Sequence, residues 1–300
     1  MSGFLVEFSN ELANAVERAG GSVISVLEGG REGVSGTIWR DGVAVTAAHT
    51  IRGRDEVTVV LPSGIEAKGS ITGRDAGTDI AVLKIPEAPA IVHLPDSMQP
   101  RVGEIVLSVA RRGTEGLAAT YGLISAIGGP WHTWQGARID RWVRLDINPF
   151  TGFSGGPVVN ASGEAIGMAT SGPRRSVQTI PASTVDRVVE EILKHGRVAR
   201  GYLGVGLQPV VFPEGTLTSI GSDVKGGLLV IAVAQGTPAA DSGIMIGDII
   251  VRAEGAPISN MRSLQHILNG ENIGKSISLD VVRGGRLLKV SVAVREKPEN

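Results

Sequence analysis

Residues 151–160 read Thr-Gly-Phe-Ser-Gly-Gly-Pro-Val-Val-Asn and place Ser154 in a glycine-rich turn ahead of an apolar, β-branched run. Two other segments share this design. TAAHTI (46–51) closes an apolar run with His49, and GTDIAVLKI (77–85) opens another with Asp79. The chain order is therefore His, Asp, Ser, each at the boundary of a β-like run. Acyl transfer needs these three side chains for separate reasons. A serine hydroxyl is a weak nucleophile and requires a base within hydrogen-bond reach, and imidazole titrates near neutrality. The imidazole needs its other nitrogen held by a carboxylate, which fixes the tautomer and stabilises the imidazolium that forms. Small residues around Ser154 let the backbone N–H groups of Gly152 and Ser154 converge on an oxyanion; losing one such donor costs about 10²–10³ in rate.

Working outward, residues 22–180 are a succession of short β-like runs: SVISVLE, GVAVTAA, EVTVVLP, IAVLKI, EIVLSVA, WVRLDI, GGPVVN and AIGMAT. Gly, Asp-Gly and Pro-Ser-Gly turns punctuate them, which predicts an all-β barrel or sandwich. The 42 glycines favour turn-rich β structure over helix bundles. Residues 4–18 predict a short amphipathic helix, with Leu5, Phe8, Leu12 and Val16 at helical spacing and Gly20-Gly21 ending it. Residues 183–195 predict a second helix, with Ser183 as N-cap, Asp186 reaching back to the first turn, and Gly196 at C′.

A second compositional block covers 202–296. GLLVIAVA (227–234) and DIIVRAEG (248–255) read as buried strands. Thr237-Pro238 reads as a capped helix start, and residues 259–269 as a helix with Met261, Leu264 and Leu268 on one face. Residues 276–294 form a hairpin turning at Gly284-Gly285.

The bulk properties exclude several classes. Of 300 residues, 29 are basic and 30 acidic, with no long basic run, which argues against a nucleic-acid footprint. There is no cysteine, so disulfides, thiolate metal sites and a cysteine nucleophile are excluded, though an oxidising compartment is not. No HExxH or other helical metal spacing involves His93, His132, His195 or His266. No metal, cofactor or ATP is called for. Arg111-Arg112 and Arg174-Arg175 read as solvated loop charges, and Trp131 and Trp134 as anchors flanking a surface loop. The first 21 residues lack a basic start and an uninterrupted apolar core, so neither a signal peptide nor a membrane span is read there. The expected location is the cytoplasm, or the periplasm if a leader is missing.

With these segments in view, the chain resembles the HtrA/Deg family of trypsin-like serine proteases with a PDZ domain. The resemblance runs through SGTIWRDGVAVTAAHTI (35–51), GTDIAVLKI, SGGPVVNASGEAIGM (154–168) and IPASTVDRVVEEILKHGRVARGYLGV (180–205). It implies a mainly β fold: a chymotrypsin-like double β-barrel over 1–197, then an α+β PDZ domain over 198–300. It implies His49 as general base, Asp79 as its orienter and Ser154 as nucleophile. Tyr202-Leu203-Gly204-Val205 matches the PDZ loop that receives a peptide's terminal carboxylate, the peptide then adding as a strand beside the 259–269 helix. The implied function is ATP-independent cleavage of unfolded or damaged proteins, with polypeptides and peptide C-termini as partners. The implied assembly is a homotrimer or a multiple of it, for which Phe4 and Phe8 are candidate contacts.

The sequence departs from the family in two places. The family usually has Asn-Pro-Gly-Asn before Ser-Gly-Gly, whereas here Asn148-Pro149-Phe150-Thr151-Gly152-Phe153 precedes Ser154. The run is two residues longer, and Phe153 must be held by packing rather than by a side-chain hydrogen bond. After Thr170, SGPRRSVQTIP is more charged than the family's usual segment. The altered serine loop motivates an alternative function: a proteolytically silent chaperone or scaffold that grips peptides. A third reading is a regulatory protease that cuts one site in one folded target.

Overall fold

A computed structural model describes residues 2–27, 33–51, 53, 55–88, 99–113, 116–133, 136–148, 151–172, 177–213, 224–268 and 270–296. His93, Trp134, Pro149, Phe150 and Arg174-Arg175 lie outside the described residues. The chain divides into two compact units, Met1–Val198 and Ala199–Asn300.

The first unit opens with α1 (Ser2–Gly20). Six strands follow: β1 (Val23–Leu27), β2 (Val34–Arg40), β3 (Val43–Ala47), β4 (Glu56–Val60), β5 (Glu66–Asp75) and β6 (Ile80–Lys84). They close a barrel in the order β1-β2-β3-β6-β5-β4. Alternating inward residues such as Ile24, Val26, Ile38, Val59 and Leu83 fill it and are fully buried. Next come β7 (Ile105–Arg111), β8 (Leu117–Gly128), the short pair β9 (Trp131–His132) and β10 (Arg138–Ile139), β11 (Trp142–Asp146), β12 (Pro157–Asn160), β13 (Ala165–Ser171) and β14 (Val177–Pro181). Of these, β11-β14-β13-β12-β7-β8 close a second barrel around Val106, Ile124, Val143, Leu145 and Val158. Closure removes the open edges that a sheet of this length otherwise presents.

Strand β14 runs directly into α2 (Ala182–His195), whose Val185, Val188, Val189 and Ile192 pack against Trp39, Val45 and Val82. Gly196 ends the helix in the left-handed conformation, donating its N–H to Ile192 O. The N-terminus differs from the sequence expectation. Pro181, not Ser183, is the N-cap residue, and no side chain caps it. Asp186 does not reach back to the first turn, because its Oδ1 accepts the Trp39 indole N–H at 2.8 Å and Arg40 Nη2 at 3.2 Å.

Helix α1 lays Ala15 and Ala19 against Val23, Leu107, Val109 and Val159. Arg111 is not a solvated loop charge. It ends β7, donates Nε to Val23 O (2.8 Å) and Nη2 to Gly20 O (3.3 Å), and burial lowers its pKa. The guanidinium thus serves the last carbonyl of α1, Gly20, and the first carbonyl of β1, Val23.

The second unit contains β15 (Gly201–Tyr202), β16 (Val205–Val211), β17 (Gly226–Val233), α3 (Pro238–Asp241), β18 (Ile249–Ala253), β19 (Ala256–Pro257), α4 (Met261–Ile267), β20 (Ser276–Arg283), β21 (Arg286–Ala293) and β22 (Arg295–Glu296). The sheet order is β16-β17-β18-β20-β21, so β16 lies at an edge, with α4 beside it. Hairpin β20–β21 turns at Gly284-Gly285 as the sequence predicts. Helix α4 is shorter than expected and is capped by Asn260, whose side chain accepts Ser263 N–H at 3.0 Å. Thr237 precedes α3 without capping it, because its hydroxyl donates to Ala234 O at 2.6 Å.

Candidate active site

Register brings the first two site residues together. Strands β3 and β6 pair antiparallel with Ala47 opposite Ile80, so the residues that follow Ala47 lie beside the one that precedes Ile80. His49 sits in a single 3₁₀ turn (Ala48–Thr50) immediately after β3. Asp79 has φ 60, and that turn of the backbone aims its carboxylate back at the turn carrying His49. Its carbonyl accepts Ala48 N–H at 3.1 Å. Its Oδ1 accepts His49 N–H at 2.8 Å, and its Oδ2 lies 2.7 Å from His49 Nδ1. With a carboxylate as acceptor, the proton of the neutral ring belongs on Nδ1, which leaves Nε2 as the basic nitrogen.

A third donor is contributed by the second barrel. Thr170, near the end of β13, donates its hydroxyl to Asp79 Oδ2. Burial pushes the Asp79 carboxyl up, but the hydrogen bonds from His49 and Thr170 outweigh it and hold the group below its ordinary 3.8. Ionised Asp79 therefore contributes stability above the ordinary carboxylate range. That contribution is lost as pH falls through the lowered folded value.

Ser154 is placed from the same strand. The turn ahead of β12 continues the pairing with β13: Gly155 N–H donates to Ala169 O at 2.9 Å, and Ala169 N–H to Gly156 O at 2.8 Å. This sets Ser154 Oγ 3.1 Å from the hydroxyl of Ser171, the last residue of β13. Consecutive residues of one strand thus touch the two halves of the site, Thr170 the carboxylate and Ser171 the serine. Among the described residues, Ser171 is the hydrogen-bond partner of the Ser154 hydroxyl, and His49 is not.

The glycines around Ser154 have steric causes. Gly152 has φ 93 and Gly155 φ 90, and a Cβ on Gly155 would fall 2.1 Å from Ser35 O. Ser35 donates its N–H (3.0 Å) and its hydroxyl (2.7 Å) to Gly152 O, and Thr37 donates to Gly155 O at 2.9 Å. Strand β2 of the first barrel so pins the serine turn of the second. Phe153 is buried, in keeping with a loop held by packing. The amides of Gly152 and Ser154 are hydrogen-bonded to no other described residue. Sequence reasoning missed Ser35, Thr37, Thr170 and Ser171. The only available signal was a small hydroxyl residue next to an apolar run, which is too common to single out.

In the second unit, Leu203 is buried and its carbonyl accepts Ala239 N–H at 2.9 Å. Gly204 has φ 83, its carbonyl accepts Ala234 N–H at 2.9 Å, and a Cβ there would fall 2.2 Å from Thr237 Cβ. Tyr202 and Val205 flank this fixed bend, at the end of β15 and the start of edge strand β16.

Comparison with known proteins agrees with both units. The trypsin-like peptidase domain matches residues 34–168 and the PDZ domain residues 201–294. A probable periplasmic serine endoprotease DegP-like of Rhizobium meliloti (strain 1021) is 31% identical over 276 residues, covering 88% of this chain and 53% of that protein. The serine endoprotease DegS of Haemophilus influenzae is 29% identical, covering 87% of this chain and 76% of that one. The structure of the HtrA-type protease AlgW with a decapeptide superposes with a TM-score of 0.76 at 27% identity, covering 96% of this chain and 99% of that one. The fold and the two matches together define a trypsin-like peptidase domain followed by a PDZ domain. The chain is similar to the HtrA/Deg serine endoproteases, and it spans about half the length of the DegP-like relative.

One expectation is overturned. The cytoplasmic location conflicts with relatives that are named periplasmic endoproteases. Residues 2–20 form helix α1, which packs on the first unit through Ala15 and Ala19.

The Thr170 hydroxyl bond to Asp79 makes it a candidate positioning residue for that carboxylate. Thr170→Val should slow phosphofluoridate labelling of Ser154 by roughly ten- to a hundredfold, the scale of a hydrogen bond to a charged group. It should also raise the Asp79 carboxyl and so move the acidic limb of the labelling profile to higher pH, with Thr170→Ser restoring both. An unchanged profile in Thr170→Val would overturn the assignment.

Proposed function

We propose that this chain is an ATP-independent serine endopeptidase acting on unfolded or damaged polypeptides. The observation that carries the reading is the adjacency on β13, where Thr170 holds the acid of a His–Asp pair and Ser171 holds the serine. His49 Nε2 takes the Ser154 proton as Oγ bonds to the substrate carbonyl carbon, and the carbonyl π pair moves onto oxygen. The Gly152 and Ser154 amides receive that oxyanion. Collapse breaks the C–N bond, and His49 returns its proton to the leaving amine. Water then adds to the acyl-enzyme by the same route, so one water is consumed per bond cut.

The second unit serves as the capture module. The Tyr202–Val205 bend and the edge strand β16 beside α4 suit a peptide whose terminal carboxylate takes the loop amides while its backbone extends the sheet. The neighbouring AlgW structure carries a decapeptide, which supports peptides as the ligand class. The free end of α1 supports association of copies into a trimer or a multiple of it. Phe4, Leu5 and Val6 are exposed there, and the Phe4 and Phe8 rings stack at 6.4 Å.

One observation favours the silent alternative, namely that the Ser154 hydroxyl is bonded to Ser171 rather than to His49. Degradation of an unfolded model protein separates the readings. Wild type should outpace Ser154→Ala by at least about 10³, and equal, negligible rates under every activating peptide would leave only the binding function. Using the Ser154→Ala protein, a peptide with a free C-terminal carboxylate should bind and its amidated form should not. Equal binding of both would remove the carboxylate loop from the account. Light scattering should give a mass of three copies or a multiple of three, and a monomer would refute the assembly.

A further inference from the structure

Edge strand β16 contains a proline, Pro209, exposed and opposite Leu228 of β17. Two backbone bonds fix which way each residue of β16 turns its amide. Ala234 N–H donates to Gly204 O at 2.9 Å, and Phe212 N–H donates to Lys225 O at 3.1 Å, both on the register of the β16–β17 pair. In an antiparallel pair, residues that exchange such bonds alternate with residues whose N–H and C=O face away. The register shifts between Gly206 and Leu207, and the extra residue, Ile231, is on β17, so the alternation along β16 runs unbroken. Gly204, Gly206, Gln208, Val210 and Phe212 therefore face β17. Val205, Leu207, Pro209 and Val211 face the open edge, where β16 has no partner strand among the described residues.

Proline has no N–H, and its ring occupies the place of that donor. It is tolerated in an edge strand with its nitrogen turned outwards, as here. The open edge consequently offers both donor and acceptor at Val205 and Leu207, then an acceptor alone at Pro209. Successive outward residues stand about 6.8 Å apart, two residues of added strand each. A peptide whose terminal carboxylate lies at the Tyr202–Val205 bend runs antiparallel to β16. Its last residue then falls at Val205, its third from the end at Leu207, and its fifth from the end at Pro209. The carbonyl of that fifth residue meets a ring where a strand would supply an N–H.

We propose that Pro209 ends the peptide ladder, so that the module pairs with the backbone of only the last three residues of a captured chain, and the chain before them leaves the sheet. This rests on the capture reading above. The carboxylate and the last three residues then carry the recognition, and an internal extended segment, which has no carboxylate, finds too short a ladder to hold it. The same proline keeps a long unfolded strand from adding along the whole of β16.

The test uses the full Ser154→Ala chain and two N-acetylated peptides that share their last three residues and a free carboxylate. One is the tripeptide. The other is a decapeptide whose added residues are Ala and Ser, so that the difference reports backbone pairing. Calorimetry should place the two dissociation constants within about threefold of one another. With Pro209→Ala added, the decapeptide should tighten by roughly two- to tenfold, the range of one restored amide–carbonyl bond, while the tripeptide is unchanged and so reports an intact fold. Pro209→Val should give the same gain, which separates the restored N–H from side-chain size. A decapeptide that already binds roughly tenfold or more tightly before the proline is replaced, or a ratio that neither substitution alters, overturns the limit on the ladder alone. If neither peptide binds, the capture reading falls and this inference with it.

Discussion

The site is organised around one partly buried carboxylate. Asp79 is removed from water far enough that burial alone would push its proton affinity up, yet it is held ionised because three donors converge on it: the His49 amide, the His49 ring and the Thr170 hydroxyl. Such a group is costly to bury unless its lone pairs are used. The backbone shares in that cost. Asp79 sits at φ 60, a conformation that costs a non-glycine residue on the order of 1–3 kcal/mol and persists only where the surroundings enforce it. Here the enforcement comes from the β3–β6 ladder and from Asp79 O accepting Ala48 N–H, so the strain is locked into the turn that presents His49.

The same carboxylate ties the two barrels together at the site. Thr170 belongs to the second barrel, and His49 and Asp79 to the first. A second tie runs the other way, with Ser35 and Thr37 of the first barrel holding the carbonyls of Gly152 and Gly155 in the second. The barrels therefore cannot shift past one another without breaking hydrogen bonds that define the reactive geometry. The close approach of the barrels leaves no room for a side chain at Gly155, and packing within the second barrel leaves none at Gly156. Gly155 is pressed against Ser35 O and Gly156 against Val109 O, where a Cβ would fall 2.2 Å away.

Much of this was readable from residue order alone, because alternation and turn residues are local signals. The runs at 43–47, 80–84 and 157–160 are strands, and His49, Asp79 and Ser154 stand at their ends as their flanking residues indicate. What was not readable depends on partners distant in sequence. Ser183 has the composition of a cap, but β14 enters α2 through Pro181, and Asp186 is drawn away by Trp39, 147 residues earlier. Arg111 looks like one of a pair of loop charges until the end of α1 and the start of β1 present it with the carbonyls of Gly20 and Val23. Thr170 and Ser171 are ordinary residues in ordinary company, and their role exists only once β13 is laid beside both Asp79 and the serine turn.

The Ser154–Ser171 contact sets how readily the site can change state. It is a bond between two neutral hydroxyls at a partly exposed position, 3.1 Å long, and bonds of that kind contribute about 0.5–1.5 kcal/mol net. The Asp79 network is of another order, since each of its donors meets a charge. The His49 ring is thus firmly oriented while the Ser154 hydroxyl is loosely held. Exchanging one neutral partner for another costs so little that a bound peptide, through a handful of contacts of similar size, suffices to shift the balance. A rigid acid–base pair beside a weakly restrained hydroxyl is an arrangement in which substrate contacts, rather than refolding of the barrels, decide where the serine points.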